Sequence, residues 1–133
     1  YMQSYLSNLK KIVGEEITER LLERGVIVFK PLAYMRGDTF DDCLMILDEA
    51  QNATFKQLML FITRMGKTSK TLITGDVSQY DIPKKSAGLP GFIRLMEGIK
   101  GVENFEFTED DIVRAEILKK IVNKYDRWKA DNE

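Results

Sequence analysis

The chain is expected to be an α/β protein with a mainly parallel sheet flanked by helices. Two observations lead there. Apolar runs of strand length at Val26–Phe29, Leu44–Leu47 and Thr71–Thr74 alternate with stretches of helical period, which is the βα order of a parallel sheet. Two of those runs also end in ligating groups: LMILDEAQ (Leu44–Gln51) delivers Asp48, Glu49 and Gln51, and KTLITGDVSQ (Lys70–Gln79) delivers Asp76 and Gln79. A strand buried in a parallel sheet reads as a continuous apolar run, and such sheets bind ligands beyond the carboxyl ends of their strands.

In chain order, Tyr1 to Val13 has a helical period with Tyr5, Leu9, Ile12 and Val13 on one face, and Gly14 breaks it. A second helix, Glu15 to Arg24, turns Ile17, Leu21 and Leu22 inward and ends at Gly25 before the strand Val26–Phe29. Pro31 to Thr39 is a loop whose Tyr34 and Arg36 suit stacking or phosphate contact as well as plain packing. After the strand that ends in Asp48, Thr54 caps a helix running to Met65, with Leu58, Phe61, Ile62 and Met65 inward and Gly66 as its C-cap. Strand Thr71–Thr74 leads to a loop, Tyr80 to Lys85, whose Lys84–Lys85 pair reads as solvated surface or as a phosphate contact. Leu89 to Met96 is a short helix that tolerates Pro90 in its first turn. Glu103 to Thr108 alternates charged and aromatic residues as a strand does. Thr108 and Asp111 form an aspartate variant of the capping box ahead of a last helix, whose inner face is Ile112, Ala115, Leu118, Ile121, Val122 and Tyr125. The sheet is expected to have about four strands.

A chain of 133 residues forms one domain and buries about 70% of its unfolded surface if the fold is complete. The net charge of −1 supplies no global field for nucleic acid, so any such contact is local. One cysteine, Cys43, excludes an intrachain disulfide and reads as a small core residue in a reducing compartment. No apolar stretch approaches the ~20 residues of a membrane span. Cytoplasm is the expected location.

The strand ending in Asp48 and Glu49 has the shape of a Walker B segment. One carboxylate associates with a Mg²⁺ on nucleotide phosphates, and its neighbour polarises the attacking water. A glutamine at the end of a second strand, such as Gln79, can sense the terminal phosphate, while Asp76 or Ser78 caps the following turn. A metal-dependent nuclease using Asp48, Glu49 and Asp76 is the alternative chemistry, and it needs a cluster of acids around two metals.

PLAYMRG, LMILDEAQNAT, LFITRMG, TGDVSQ, DIP, AGL and DIVR occur in this order between about Ile12 and Tyr125, and together they resemble the PhoH-like ATPases. The resemblance implies the distal part of a RecA-like P-loop NTPase core that binds ATP and Mg²⁺, assembles as a homo-oligomer and acts on RNA or single-stranded nucleic acid. By motif, it makes Asp48 the Mg²⁺-associated acid, Glu49 the catalytic base, Gln51 a coupling residue and Gln79 the γ-phosphate sensor. Arg64 and Arg114 become arginine fingers or sensors.

Three departures stand beside it: Asp38 where the family has a second arginine after PLAYMRG, Ala115 where it has a histidine, and a loosened Ser86–Leu89. No G-x-x-x-x-G-K-[ST] occurs, because the Gly66-Lys67-Thr68 look-alike would need glycine at Phe61. The chain therefore reads as the C-terminal part of a longer ATPase, inactive alone. The competing class is a non-catalytic assembly module with a decayed nucleotide site.

Overall fold

A computed structural model describes residues 2–77, 79, 87–108, 111, 113 and 116–132, with the side chains of 119, 126 and 129–132 left aside. Arg114, Ser78, the Tyr80–Lys85 loop with its lysine pair, Ser86, Asp110, Ile112 and Ala115 lie outside the described residues. The chain divides into two compact units, residues 1–96 and 97–133.

The first unit centres on a β-α-β crossover. Strands β1 (Leu44–Leu47) and β2 (Lys70–Ile73) pair in parallel, with Leu44 opposite Lys70 and Leu47 opposite Ile73. Helix α3 (Phe55–Ile62) forms the connection. Its start is fixed by Thr54, whose hydroxyl accepts from the Gln57 amide while the Gln57 side chain accepts from the Thr54 amide at 2.8 Å. This closes both orphan donors in a capping box. The pleat sends Met45, Leu47, Thr71 and Ile73 to one face of the sheet. There, Leu58 (0% exposed), Ala50 and Ala53 pack with Leu89 and Phe92 of α4 (Leu89–Met96), and Met45 packs with Met35 and Phe61. Leu47 and Ile73, partners in the ladder, touch both clusters and join them.

Beyond the amino ends of the strands the ladder is extended by one backbone bridge and by side chains. Phe40 bridges Met65, and the Asp42 and Cys43 amides donate to the hydroxyls of Thr68 and Ser69. Gly66 sits at the tightest point, since an added Cβ would lie 2.0 Å from Asp41 Oδ1 and 2.6 Å from the Phe40 carbonyl. It is therefore a close-approach glycine and not the C-cap of α3. The helix stops at Ile62 with Thr63 as its C-cap, and this leaves Met65 exposed.

Helices α1 (Met2–Val13) and α2 (Glu15–Glu23) pack on each other around Gly14, whose φ of 88° makes the sharp break that a glycine allows. The fully buried residue of α2 is Thr18, which donates to the Gly14 carbonyl at 2.7 Å. Contrary to the inward face read for these helices, Tyr5 and Ile17 are exposed and Ile12 is 79% exposed.

Two of the four expected strands form among the described residues. Val26–Phe29 does not pair, because the Val26 and Ile27 amides donate to the Leu21 carbonyl and close the C-terminus of α2. That use leaves them unavailable to a ladder. In the second unit, residues 102–108 have no strand pairing, and Phe105 and Phe107 stand 82% and 85% exposed. With no neighbouring strand to satisfy its amides, an alternating segment has nothing to hold it extended. The Thr108–Asp111 turn does form, the Thr108 amide donating to Asp111 Oδ2 at 2.7 Å, but the regular helix α5 begins at Glu116 (Glu116–Asn132). Its expected inner residues Leu118, Ile121 and Tyr125 are exposed, with Tyr125 stacked on Trp128.

Among the described residues of the first unit the sheet is covered on one face, and Leu44, Ile46 and Leu72 on the other are exposed. Cys43, read as a core thiol, is exposed as well.

The packing of α4 on α3 gives a stability test. A Cβ at Gly88 would lie 2.1 Å from the Phe55 amide nitrogen, whereas one at Gly91 would meet Phe55 Cδ2 at an ordinary 3.7 Å. In chemical denaturation, Gly88→Ala is expected to lose about 1–3 kcal/mol. Gly91→Ala, in the first turn of α4, should gain at most about 1 kcal/mol.

Candidate functional site

The parallel register determines what stands at the carboxyl ends of the strands. The Thr74 amide donates to the Leu47 carbonyl and the Ala50 amide donates to the Thr74 carbonyl, both at 2.9 Å, so Asp48 and Thr74 emerge side by side. The Thr74 hydroxyl donates to Asp48 Oδ1, and the hydroxyl of Tyr5, brought in by α1, donates to Asp48 Oδ2. Burial works against the charged carboxylate, but the Thr74 and Tyr5 hydrogen bonds and the Glu49 amide outweigh it and hold the Asp48 carboxyl below its usual range. The same contact pushes the Tyr5 phenol from 10.0 up to about 12, chiefly because the carboxylate holds its proton, with desolvation and the charges of Asp48 and Glu49 adding to it.

Glu49 occupies the left-handed region, at φ 55° and ψ 38°, which side chains other than glycine adopt at a cost. That conformation starts the 3₁₀ turn Ala50–Asn52 and folds the Glu49 carboxylate back on Gln51. Gln51 is 5% exposed and uses both ends of its amide: Nε2 donates to Glu49 Oε2 at 2.5 Å, and Oε1 accepts from the Asp76 amide at 3.1 Å. A Cβ at position 75 would fall 2.9 Å from Gln51 Oε1 and 2.8 Å from Leu89 Cδ2, so Gly75 is the residue that lets the second strand end approach. Gln79 Nε2 then donates to Asp76 Oδ2 at 2.6 Å. An unbroken series of hydrogen bonds therefore runs from Glu49 through Gln51 and Asp76 to Gln79.

Asp48 and Glu49 line a cleft of about 490 Å³ together with Pro31, Leu32, Leu47, Asn52, Ala53 and Gln57. Two hard oxygen acids in the lining of an otherwise mixed cleft fit Mg²⁺, which takes one or two carboxylates and completes its shell with waters and phosphate oxygens. Among the described residues, no group of three or more histidines, cysteines or acids is placed to hold a metal. A two-metal nuclease site has no support there.

Five of the seven residues singled out from the sequence, Asp48, Glu49, Gln51, Asp76 and Gln79, meet at this strand end. Arg64 does not. It follows α3 at the amino ends of the strands, where its carbonyl accepts from the Phe40 amide, its Nη1 donates to the Asp38 carbonyl at 3.3 Å, and its buried Nε has no partner among the described residues. Asp38, the charge reversal in the loop, is paired with Lys30, and Lys30 also lies 5.6 Å over the Phe40 ring. Arg114 lies outside the described residues. Two residues of the site went unread in the sequence. Thr74 carried a signal, as the residue following β2 opposite Asp48 in a parallel pair. Tyr5, 43 positions from its partner, carried none.

An α/β protein whose parallel strands end in a paired acid and a buried bridging glutamine is the class these observations define. The family model described as "PhoH-like protein" matches residues 1–126, and the chain belongs to that family. It is 46% identical over 128 residues to a PhoH-like protein of Bacillus subtilis (strain 168), covering 96% of this chain and 40% of that protein. A PhoH-like protein of Mycobacterium tuberculosis (strain ATCC 25618 / H37Rv) is 39% identical over 129 residues, covering 96% and 37%. Protein PhoH of Escherichia coli (strain K12) is 36% identical over 104 residues, covering 77% and 29%. The chain spans two-fifths or less of the length of these relatives. Among the described residues, no helix is long and apolar enough to cross a membrane.

Two measurements check the site. Because the Asp48 pKa is lowered on folding, its contribution to stability is complete above the ordinary aspartate range and is lost as pH falls through the lowered value. Denaturation curves should therefore weaken on acidification more steeply for the wild type than for Asp48→Asn, and equal slopes would show that the hydroxyls do not engage the carboxylate. The raised Tyr5 pKa acts in the opposite sense: its contribution is present below pH 10 and is lost toward pH 12. Gln51→Ala strands a carboxylate and a backbone amide, and should cost about 1–3 kcal/mol by urea titration. A neutral result would remove Gln51 as the link between the strands.

Proposed function

We propose that this chain is the metal-associated and water-activating part of a Mg²⁺-dependent ATPase with a RecA-like core, whose phosphate-binding loop is carried by sequence outside these 133 residues. The observation that carries the reading is the state of Glu49. Its backbone is held in the left-handed region, its Oε2 is tied to a buried glutamine, and its Oε1 has no partner among the described residues, in a side chain that lines the cleft. A general base needs this combination of fixed position and one open oxygen. Family membership supports the same reading.

Asp48, held below the usual carboxylate range by its donors, is the residue that would hold a hydrated Mg²⁺ in the cleft. A bound Mg²⁺ would supply charge neutralisation to the phosphate oxygens. Glu49 Oε1 takes the proton of the water that attacks the terminal phosphorus in line, and Gln51 keeps the carboxylate from rotating away. The link through Asp76 to Gln79 makes the second strand end sensitive to what Glu49 holds. Arg64, remote from these acids in its own chain, suits a role at a neighbouring subunit's site in a homo-oligomer, and Arg114 is a second candidate arginine. The hydrolysis would drive remodelling of RNA or another single-stranded nucleic acid in the cytoplasm.

A second reading, a non-catalytic assembly module, is favoured by the lack of a G-x-x-x-x-G-K-[ST] run in this sequence. One experiment separates the two. In the natural full-length protein, Glu49→Gln should reduce ATP turnover by about 10²-fold or more while leaving ATP affinity within a few-fold. Unchanged turnover would take Glu49 out of the mechanism. A wild type that binds no ATP would establish the module.

A further inference from the structure

Helix α1 has no buried residue, and the Tyr5 hydroxyl on Asp48 Oδ2 ties it to the candidate site. It packs against α2, with Leu6, Leu9 and Val13 half-buried, and Lys10 pairs with Glu15 at 2.6 Å. A helix with no fully buried side chain depends on each of its contacts for its position. Asp48 is also the acid whose oxygens must receive hydrogen bonds from metal-bound water if the function proposed above holds. A phenol and a metal-bound water are donors of the same kind competing for one carboxylate oxygen.

We propose that α1 is a strap latched to the site by Tyr5, and that a metal–nucleotide complex arriving at Asp48 displaces the Tyr5 hydroxyl and releases α1. This rests on the reading of Asp48 as the metal-associated acid. Tyr5 is in this account a positioning residue: it holds the carboxylate on one side while Thr74 holds it on the other. The device ties the mobility of the Met2–Val13 helix to occupancy of the site, and a free or latched α1 is a surface that a partner or an adjoining subunit can read. The coupling runs both ways by necessity, so whatever clamps α1 in place weakens metal–nucleotide binding.

Hydrogen exchange of the α1 amides tests the latch without reference to catalysis. In the 133-residue chain, Tyr5→Phe and Asp48→Asn should each speed exchange across residues 2–13 by about 3- to 10-fold, the effect of one net hydrogen bond, and leave α3 protected. Thr74→Val, which removes the donor from the other carboxylate oxygen, should leave α1 unchanged. Unaltered α1 exchange in Tyr5→Phe would overturn the latch, and so would an equal acceleration in Thr74→Val, since the effect would then be general loosening.

In the natural full-length protein, Mg²⁺ with a non-hydrolysable ATP analogue should speed α1 exchange in the wild type and add nothing in Tyr5→Phe. If the variants loosen α1 but the Mg²⁺–analogue complex does not, release is overturned. Equilibrium dialysis of the analogue on the same sample then tells whether it failed to bind, in which case the proposed function fails too, or bound without touching the latch.

Discussion

The pairing of Thr74 with the end of β1 is the constraint on which the rest of the site depends. Thr74 gives its amide to Leu47, its carbonyl to Ala50 and its hydroxyl to Asp48. These three bonds register the two strand ends, start the turn that bends Glu49 back, and keep the Asp48 carboxylate charged. The apolar side of the same register, Leu47 opposite Ile73, joins the two halves of the core. A one-residue slip of β2 against β1 would turn Ile73 out of the core and part Thr74 from Asp48 together. Packing and chemistry are thus held by the same few atoms.

From that anchor the polar groups follow in order. Gln51 enters the interior because it has a carboxylate at one end and a backbone amide at the other, which is the condition under which a buried amide is tolerated. Gly75 makes room for it, and the strained backbone at Glu49 is held by the turn hydrogen bonds on either side. The opposite end of the crossover is built for a different task. There the side chains of Thr68, Ser69 and Asp41 and the backbone amide of Gly66 close the strands, and Arg64 braces the loop that carries Asp38.

Much of the site was legible in the sequence because the information was local. LMILDEAQ and TLITGDVSQ announce strand, acid and glutamine within ten residues each, and Thr54 with Gln57 announces a helix start. The rest depended on partners far along the chain. Val26–Phe29 has the composition of a strand, but its first amides cap α2 instead. Glu103–Thr108 alternates correctly but forms no strand pairing among the described residues. The stripes on α1 and α5 were read as core faces, yet periodicity reports that a face is apolar and not that anything covers it. Tyr5 shows the same limit for polar groups: its role exists only through a contact that no spacing rule encodes.

The central claim is that Asp48 and Glu49 form a preassembled metal-side and water-side pair, with Glu49 Oε1 open to the reacting water. A crystal structure of the natural full-length protein with Mg²⁺, ADP and a planar phosphate mimic tests it most directly. The account predicts a metal-bound water on Asp48, an in-line water within hydrogen-bond distance of Glu49 Oε1, and Gln51 still on Oε2. A nucleotide seated with Glu49 turned away from its terminal phosphate would contradict it.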